Sequence, residues 1–293
     1  MSTVAKRESR GARRGLFSTA IAWFRSSRAA RLALVTIVVC GVGVGVALGV
    51  WRRVRPHVEK LPEYLVAAED LEITTPPSWV HTDLKAEVIR DAGLSKISIL
   101  DEHTPQLLSE AFALCPWVDR VSGVHTSYPA HIRIDLVYRH PVAMVEVSGG
   151  LLPIDDAGVL LPTAGFSADE AHQYPRIAGI ETSPRGMIGS PWGDPAVEQG
   201  AKLAAVLQDA WPMLRFHHIQ SPRAESSDDP AGAGLQLVTR QGTLFVWGDP
   251  PGEESGDEAP AAKKLVRLKN LLVEFQSPDA VPAKQRDLRQ ANR

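Results

Sequence analysis

Residues Leu32 to Trp51 read LALVTIVVCGVGVGVALGVW, a run of twenty residues without a charged side chain. A helix of this length spans about 30 Å, because each residue adds about 1.5 Å, and this matches the hydrocarbon thickness of a bilayer. Eleven of the twenty residues are Leu, Ile or Val, which favour insertion into lipid. The run therefore predicts a helix that spans a membrane once.

A cleaved signal peptide is the alternative for the same run. Its apolar region is normally about 7 to 15 residues long and ends in small residues at a cleavage site. Here the apolar run is longer and ends in Trp51-Arg52-Arg53. We therefore expect an anchor that is not cleaved.

The basic residues on the two sides of the run predict its orientation. Residues 1–31 carry eight Lys or Arg against one acidic residue, Glu8, whereas four basic residues follow the run at positions 52–60. Basic residues are retained on the cytoplasmic side. We therefore expect a basic cytoplasmic tail (1–31), a transmembrane helix (32–51), a stalk (52–70) and folded bulk outside the cytoplasm.

Three glycines in the run, Gly41, Gly45 and Gly49, recur every four residues and so lie on one stripe of the helix. Such a stripe lets a second helix approach closely, which makes packing against a partner helix one hypothesis. The alternative is a bias of composition in a Val-rich span, and the pattern itself does not separate the two.

The composition of the chain argues against several functional classes. The net charge of -2 over 293 residues is unsuited to a nucleic-acid binder, which needs a basic surface to neutralise phosphates. Cys40 lies in the apolar run and Cys115 far beyond it, so we expect no disulfide between them. Motifs for nucleophilic catalysis, zinc proteases, phosphate loops and dinucleotides are absent from the sequence. We therefore expect no enzymatic activity, no cofactor, no metal and no small-molecule substrate.

Two pairs of polar residues required a separate interpretation. His217 and His218 are neighbours in a predicted strand, where adjacent side chains point to opposite faces, so we expect no shared metal ion. Asp155 and Asp156 precede Ala-Gly between two apolar runs, which is typical of a turn rather than of an acid–base pair.

The hydrophobic pattern of residues 71–141 predicts a first folded module with the order strand, helix, helix, strand, strand. The strand at 71–75 stops at two prolines, and the first helix (83–92) stops at a glycine. The second helix begins at Thr104 and ends before Pro116. The expected core positions of this second helix are Leu107, Leu108, Ala111 and Leu114. Two alternating strands, 121–127 and 132–138, predict a hairpin.

Residues 142–276 predict a β-rich domain with an open sheet and flanking helices, because short apolar strands alternate with glycine turns. One helix begins after Asp194 as N-cap, with Pro195 in the first helical position. The acidic stretch 249–262 is interpreted as a solvated loop, and the segment 277–293 as a flexible tail. The fold class is therefore α+β.

The last predicted helix (263–275) is expected to pack its apolar stripe on the sheet, and together with the strand edge beside it this helix is the candidate partner-binding element. An open sheet leaves an edge strand beside it, and exposed strand edges recruit other chains by backbone pairing. Lys264, Arg267 and Lys269 are expected on its outer side. The hypothetical binding residues on this helix are Leu265, Leu268, Lys269, Leu272 and Phe275.

Four motifs occur in order along the outer part of the chain: ALCPWV (113–118), Tyr128-Pro129, YRHPVA (138–143) and IDDAGVL (154–160). Together with the single anchor and the order of elements, they resemble the FtsQ/DivIB family of bacterial cell-division proteins. The motif residues to which this resemblance gives a structural role are Pro116, Trp117, Val118, Arg139, Pro141, Asp155 and Gly158.

The resemblance implies that residues 71–141 form a POTRA domain and that the protein is a scaffold of the division machinery without catalytic activity. It further implies location in the inner membrane at the septum, contact with lipid, and single-pass partners of the FtsB/FtsL type. The alternative is a POTRA-bearing accessory of secretion or envelope assembly. In that family a terminal strand contains "DLR", whereas Asp287-Leu288-Arg289 here has no apolar strand pattern around it and is assigned to the tail.

Overall fold

The computed structural model describes residues 28–58, 61–221 and 234–290. It shows a mixed α+β chain that divides into two compact units, residues 1–65 and 66–293. The first 27 residues of the predicted basic tail lie outside the described residues.

The described part of the first unit is dominated by helix α1 (Arg28–Val58), followed by a short 3-10 helix (Pro62–Tyr64). Residues Leu32–Val54 of α1 have a mean hydropathy of 2.5, and their side chains are exposed in the part of the chain that the structure describes. In the described residues this is the one helix long and apolar enough to cross a membrane. The helix extends beyond the predicted span at both ends.

The first lobe of the second unit contains two small sheets and two helices. Its elements are β1 (Leu65–Ala67), β2 (Glu72–Ile73), α2 (Leu84–Asp91), β3 (Lys96–Ser98), α3 (Thr104–Ala113), β4 (Val118–Ser127) and β5 (His131–Tyr138). β2 pairs in parallel with β5, which pairs antiparallel with β4, while β1 pairs with β3. Asp83 begins α2 by accepting a hydrogen bond from the Ala86 amide at 3.1 Å.

The core face of α3 differs from the prediction. Leu107 and Leu114 were expected inside, yet they are 49 % and 84 % exposed. The buried positions are Thr104, Leu108 and Phe112, which recur every four residues and so share one stripe of the helix. Leu114 follows the last helical residue, so its side chain is not carried by that stripe.

The second lobe is built on a six-stranded sheet with helices on its apolar face. Its elements are β6 (Ala143–Val147), β7 (Gly150–Ile154), α4 (Ala168–Ala171), β8 (Arg176–Ala178), α5 (Pro195–Leu207), α6 (Trp211–Leu214), β9 (Phe216–Gln220), β10 (Leu235–Thr239), β11 (Leu244–Gly248) and α7 (Ala261–Phe275). The strand order is β11-β10-β9-β8-β6-β7, with β6, β8 and β9 parallel to one another. The N-cap prediction for α5 is confirmed, since Asp194 accepts from the Ala196 amide at 2.9 Å.

The two lobes share packed side chains. Leu161 follows the second lobe's first hairpin in the chain but is fully buried in the core of the first lobe. Phe166 packs there as well, with its ring 6.2 Å from that of Trp117 and 6.1 Å from that of His81. The first lobe's apolar core is therefore completed by residues from beyond its own boundary.

The prediction of a flexible tail from residue 277 is wrong for residues 277–290. Two 3-10 helices (Pro278–Ala280 and Ala283–Gln285) occupy this segment, and Val281 and Leu288 are fully buried. The Val246 amide donates to the Arg286 carbonyl at 3.0 Å, and the Leu288 amide donates to the Val246 carbonyl at 2.9 Å. Val281 and Leu288 are isolated apolar residues and form no alternating pattern, so the sequence did not predict an ordered segment, yet both side chains are buried in the core.

Replacing Leu161 with Ala should lower the free energy of unfolding by about 2–5 kcal/mol, because a fully buried Leu leaves a cavity. The measurement is denaturant unfolding of the full-length protein in detergent. The matched control is Leu114→Ala, which should change stability by less than about 0.5 kcal/mol because that side chain is exposed. Equal effects of the two changes would contradict the shared core.

Candidate functional site

An ion cluster lies at the junction of the lobes. The Arg139 Nη1 atom is 2.7 Å from Asp155 Oδ2 and 3.3 Å from Asp119 Oδ1. Asp155 is buried and its Oδ1 accepts from the amides of Ala157 at 3.0 Å and Val159 at 2.8 Å. Asp155 therefore closes a turn and neutralises the arginine, which positions the end of β5 against the second lobe.

The other motif residues also serve packing. Trp117 and Val118 are buried in the first core, and Pro116 lies against Gly189, where an added Cβ would sit 3.2 Å from the proline Cα. Gly158 has φ of +73°, and a Cβ added at this residue would lie 3.2 Å from the Glu198 side chain. These contacts give the four residues packing roles, while a cavity of about 390 Å³ lies beside Arg139 and Asp155.

The apolar stripe of α7 packs against the core of its own lobe. Leu268 is fully buried in the second lobe, and Leu265, Leu272 and Phe275 pack against the same core. Of the five residues proposed from the sequence, Lys269 alone is exposed. An amphipathic helix buries its apolar side against its own sheet, so the surface open to a partner is the opposite side.

Lys264 was predicted on the outer side of α7 but is fully buried. Its Nζ forms an ion pair with Glu258 and lies 5.2 Å from the centre of the Trp247 ring. Glu258 also accepts a hydrogen bond from the Asp249 amide at 2.9 Å. A buried ammonium needs such a partner, and the ring face adds a cation–π contact.

The acidic stretch 249–262 is consequently more than a solvated loop. Besides Glu258, it contributes Glu254, whose carboxylate accepts from the Ala261 amide at 2.8 Å where α7 begins. Asp249 in turn accepts from the Ser255 hydroxyl at 2.6 Å, and these contacts lower the pKa of the Asp249 carboxyl, chiefly through that hydrogen bond. Glu254 and Glu258 therefore hold the loop against the helix, and Asp249 holds the loop together.

The outer side of α7 and the segment after it enclose a groove of about 740 Å³. One wall carries Lys263, Val266 and Arg267 from the helix, and the other carries Gln285 and Gln290. Arg267 Nη1 donates to the Gln290 carbonyl at 2.8 Å and so ties the two walls together. Within the described ranges, the buried Oε1 atom of Gln285 has no hydrogen-bond partner. This groove is the candidate partner-binding site.

The strand edge expected beside α7 is occupied by the chain itself. Residues 286–288 pair with Val246 of β11, and on their other side the Ala259 amide donates to the Arg289 carbonyl at 2.9 Å. A bridge between Glu258 and Gln290 continues this second pairing. Backbone pairing of a partner at Val246 is therefore blocked while this segment is in place.

Charge distinguishes this surface from the rest of the chain after the apolar run. Residues 261–293 carry eight Lys or Arg against three Asp or Glu, whereas residues 52–260 carry sixteen basic and thirty acidic residues. A concentration of one sign of charge steers an oppositely charged partner towards it. Net charge counted over successive segments of the sequence reveals this basic region. Such a count would have indicated Lys263 and Arg267 as binding residues instead of the apolar stripe.

His217 and His218 lie closer together than expected. Their Nδ1 atoms are 2.9 Å apart, because Nδ1 is near the backbone and can approach its neighbour despite the alternation of the strand. Burial lowers the pKa of His218, and the adjacent His217 lowers it further, while Glu146 opposes the shift. No group of three or more His, Cys, Asp or Glu able to hold a metal ion occurs in the part of the chain that the structure describes.

No protein-family profile matches the chain, and a search of curated proteins finds no match. The resemblance to the FtsQ/DivIB family therefore rests on the four motifs, their order and the element order around them.

Replacing Lys264 with Ala should destabilise the second lobe by about 3–5 kcal/mol, because Glu258 is then left without its buried counter-charge. The midpoint of thermal unfolding, followed by near-ultraviolet circular dichroism, measures this effect. Lys263→Ala is the control, since it removes the same charge from the exposed neighbouring position. A similar fall in the thermal midpoint in both variants would show that the buried ion pair contributes no more to stability than an exposed lysine does.

Lowering the pH through about 6.5, the ordinary pKa of histidine, should reduce the free energy of unfolding. The reason is that His218 and His140 have folded-state pKa values lowered mainly by burial, so the unfolded chain binds more protons. His218→Gln should make the dependence on pH less steep between about pH 8 and 5. Denaturant titrations at several pH values test this, and an unchanged slope in the variant would contradict it.

Proposed function

We propose that this chain is a membrane-anchored, non-enzymatic scaffold of bacterial cell division, of the FtsQ/DivIB type. Its task is to hold other single-pass membrane proteins at the septum through its extracytoplasmic part. The observation that carries the proposal is the succession of one candidate spanning helix and a mixed α+β unit whose elements follow the order expected from the motifs.

The first lobe supports this proposal by its connectivity. β2, α2, α3, β4 and β5 follow one another as strand, helix, helix, strand, strand, and the first of these strands pairs in parallel with the last. The added β1–β3 pair is the departure from that order. We assign this lobe to the POTRA class, in which recruitment of partners is the expected task.

The groove beside α7 is the proposed site for a partner segment. Lys263 and Arg267 offer positive charge, and Val266 offers an exposed apolar contact between them. A segment with acidic residues and an apolar side chain fits this surface. Arginine suits such a role because its guanidinium binds carboxylates through two parallel hydrogen bonds.

Localisation in dividing cells is the experiment that tests this function. The fluorescent reporter belongs on the N-terminus, because the groove includes Gln290 and a C-terminal fusion would lie beside it. A band at the constriction supports the division role. Uniform fluorescence around the envelope would reject that role and favour the accessory of secretion or envelope assembly.

Reversing the charge of the groove with Lys263→Glu and Arg267→Glu should reduce capture of the partner by at least about 10-fold, since charge complementarity is lost. A photo-crosslinking residue at Val273, which is 80 % exposed on the same helix, measures capture in cells. Arg90→Glu, on the exposed face of α2, is the control and should leave capture intact. Equal crosslinking in the charge-reversed protein would exclude this groove as the site.

A further inference from the structure

A second cavity, of about 530 Å³, lies at the end of the six-stranded sheet where β9 begins and β10 ends. Residues after α4, at the junction of α6 and β9, in the turn after β10 and after α7 surround it. It shares no lining residue with the groove beside α7. It is therefore a separate cavity from that groove.

The floor of this cavity is apolar. The rings of Trp211 and Phe216 are almost fully buried, and Pro278 is buried beside them. Phe216 is supported from beneath by an edge-to-face contact with Phe245, with ring centres 5.2 Å apart. The floor is thus a firm surface against which an apolar group can pack.

Two guanidinium groups, those of Arg215 and Arg240, line the cavity and are exposed. Among the described residues neither one has a hydrogen bond or an ion pair. The cavity does contain a carboxylate, Asp279, but its Oδ1 accepts from the Thr239 hydroxyl at 2.6 Å instead of pairing with an arginine. Both guanidinium groups therefore keep their donors available.

The backbone around this cavity is strained. Arg215 has φ of +59° and Gln276 has φ of +60°, and they are the non-glycine residues with positive φ in the described part of the chain. Both end helices, in a position that glycine or asparagine usually fills. Arg215 lines the cavity, and Gln276 directly precedes Ser277, which also lines it. Such strain tends to persist where it serves a binding or catalytic site.

We propose that this cavity binds an acidic peptide segment, with carboxylates on Arg215 and Arg240 and an apolar side chain on the aromatic floor. A guanidinium fork matches a carboxylate through two parallel hydrogen bonds. The volume is in the range of pockets that hold small ligands, about 300–1,000 Å³, and so accommodates a few residues. A free phosphate would satisfy the arginines but leave the aromatic floor without a contact.

The test is calorimetric titration of the full-length protein in detergent with acetyl-Asp-Leu-Asp-amide at low salt. The matched probe is acetyl-Asn-Leu-Asn-amide, which has the same shape without the charges. We expect the acidic peptide to bind at least about 10-fold more tightly, and Arg240→Gln to abolish that preference. Arg90→Gln, which removes an arginine outside the cavity, should leave it unchanged.

Arg215→Gly provides the second measurement, because it removes the guanidinium and relieves the backbone strain together. The variant should lose the preference for the acidic peptide while its thermal midpoint stays the same or rises by a few degrees, about 2–4 °C. This separates loss of a ligand from loss of the fold. Absent binding, equal binding of the two peptides, or full competition by inorganic phosphate at the affinity of the peptide would each overturn the proposal.

Discussion

Burial of Leu161 and Phe166 in the first lobe is the constraint on which the second unit depends. The described chain has no disulfide, since its cysteines are free, so packing has to hold the lobes. These two residues place part of the second lobe inside the core of the first, and the Arg139–Asp155 pair lies at the same junction. The lobes consequently present their surfaces in a constant relation.

The surfaces available for binding are those that are not buried in the core. The apolar stripe of helix α7 packs on the sheet, and residues 286–288 pair with the neighbouring strand edge. What remains is charge: Lys263 and Arg267 on one side, and Arg215 and Arg240 at the end of the sheet. Recognition by this protein is therefore expected to depend more on electrostatic and polar contacts than on a large apolar patch.

Periodic patterns predicted the elements well where they were long. The long apolar helix α1, the helix after Asp194 and the hairpin of β4 and β5 all follow from hydrophobic spacing and caps. The buried face of a helix was harder to predict from the sequence than the helix itself. The sequence alone left Leu107 and Leu108 equally suitable for the core of α3, and Lys264 was assigned to solvent because its buried partner, Glu258, lies six residues away in an acidic stretch. The candidate groove was missed for the same reason, since it depends on how residues 283–290 return to α7.

The pairing of residues 286–288 with β11 also has a consequence in time. The chain is synthesised from its N-terminus, so these residues appear after everything they contact, and Leu161 likewise appears after the elements of the first lobe. Neither lobe can therefore complete its core early in synthesis. The two walls of the groove beside α7 are joined only once Gln290 has been added to the chain.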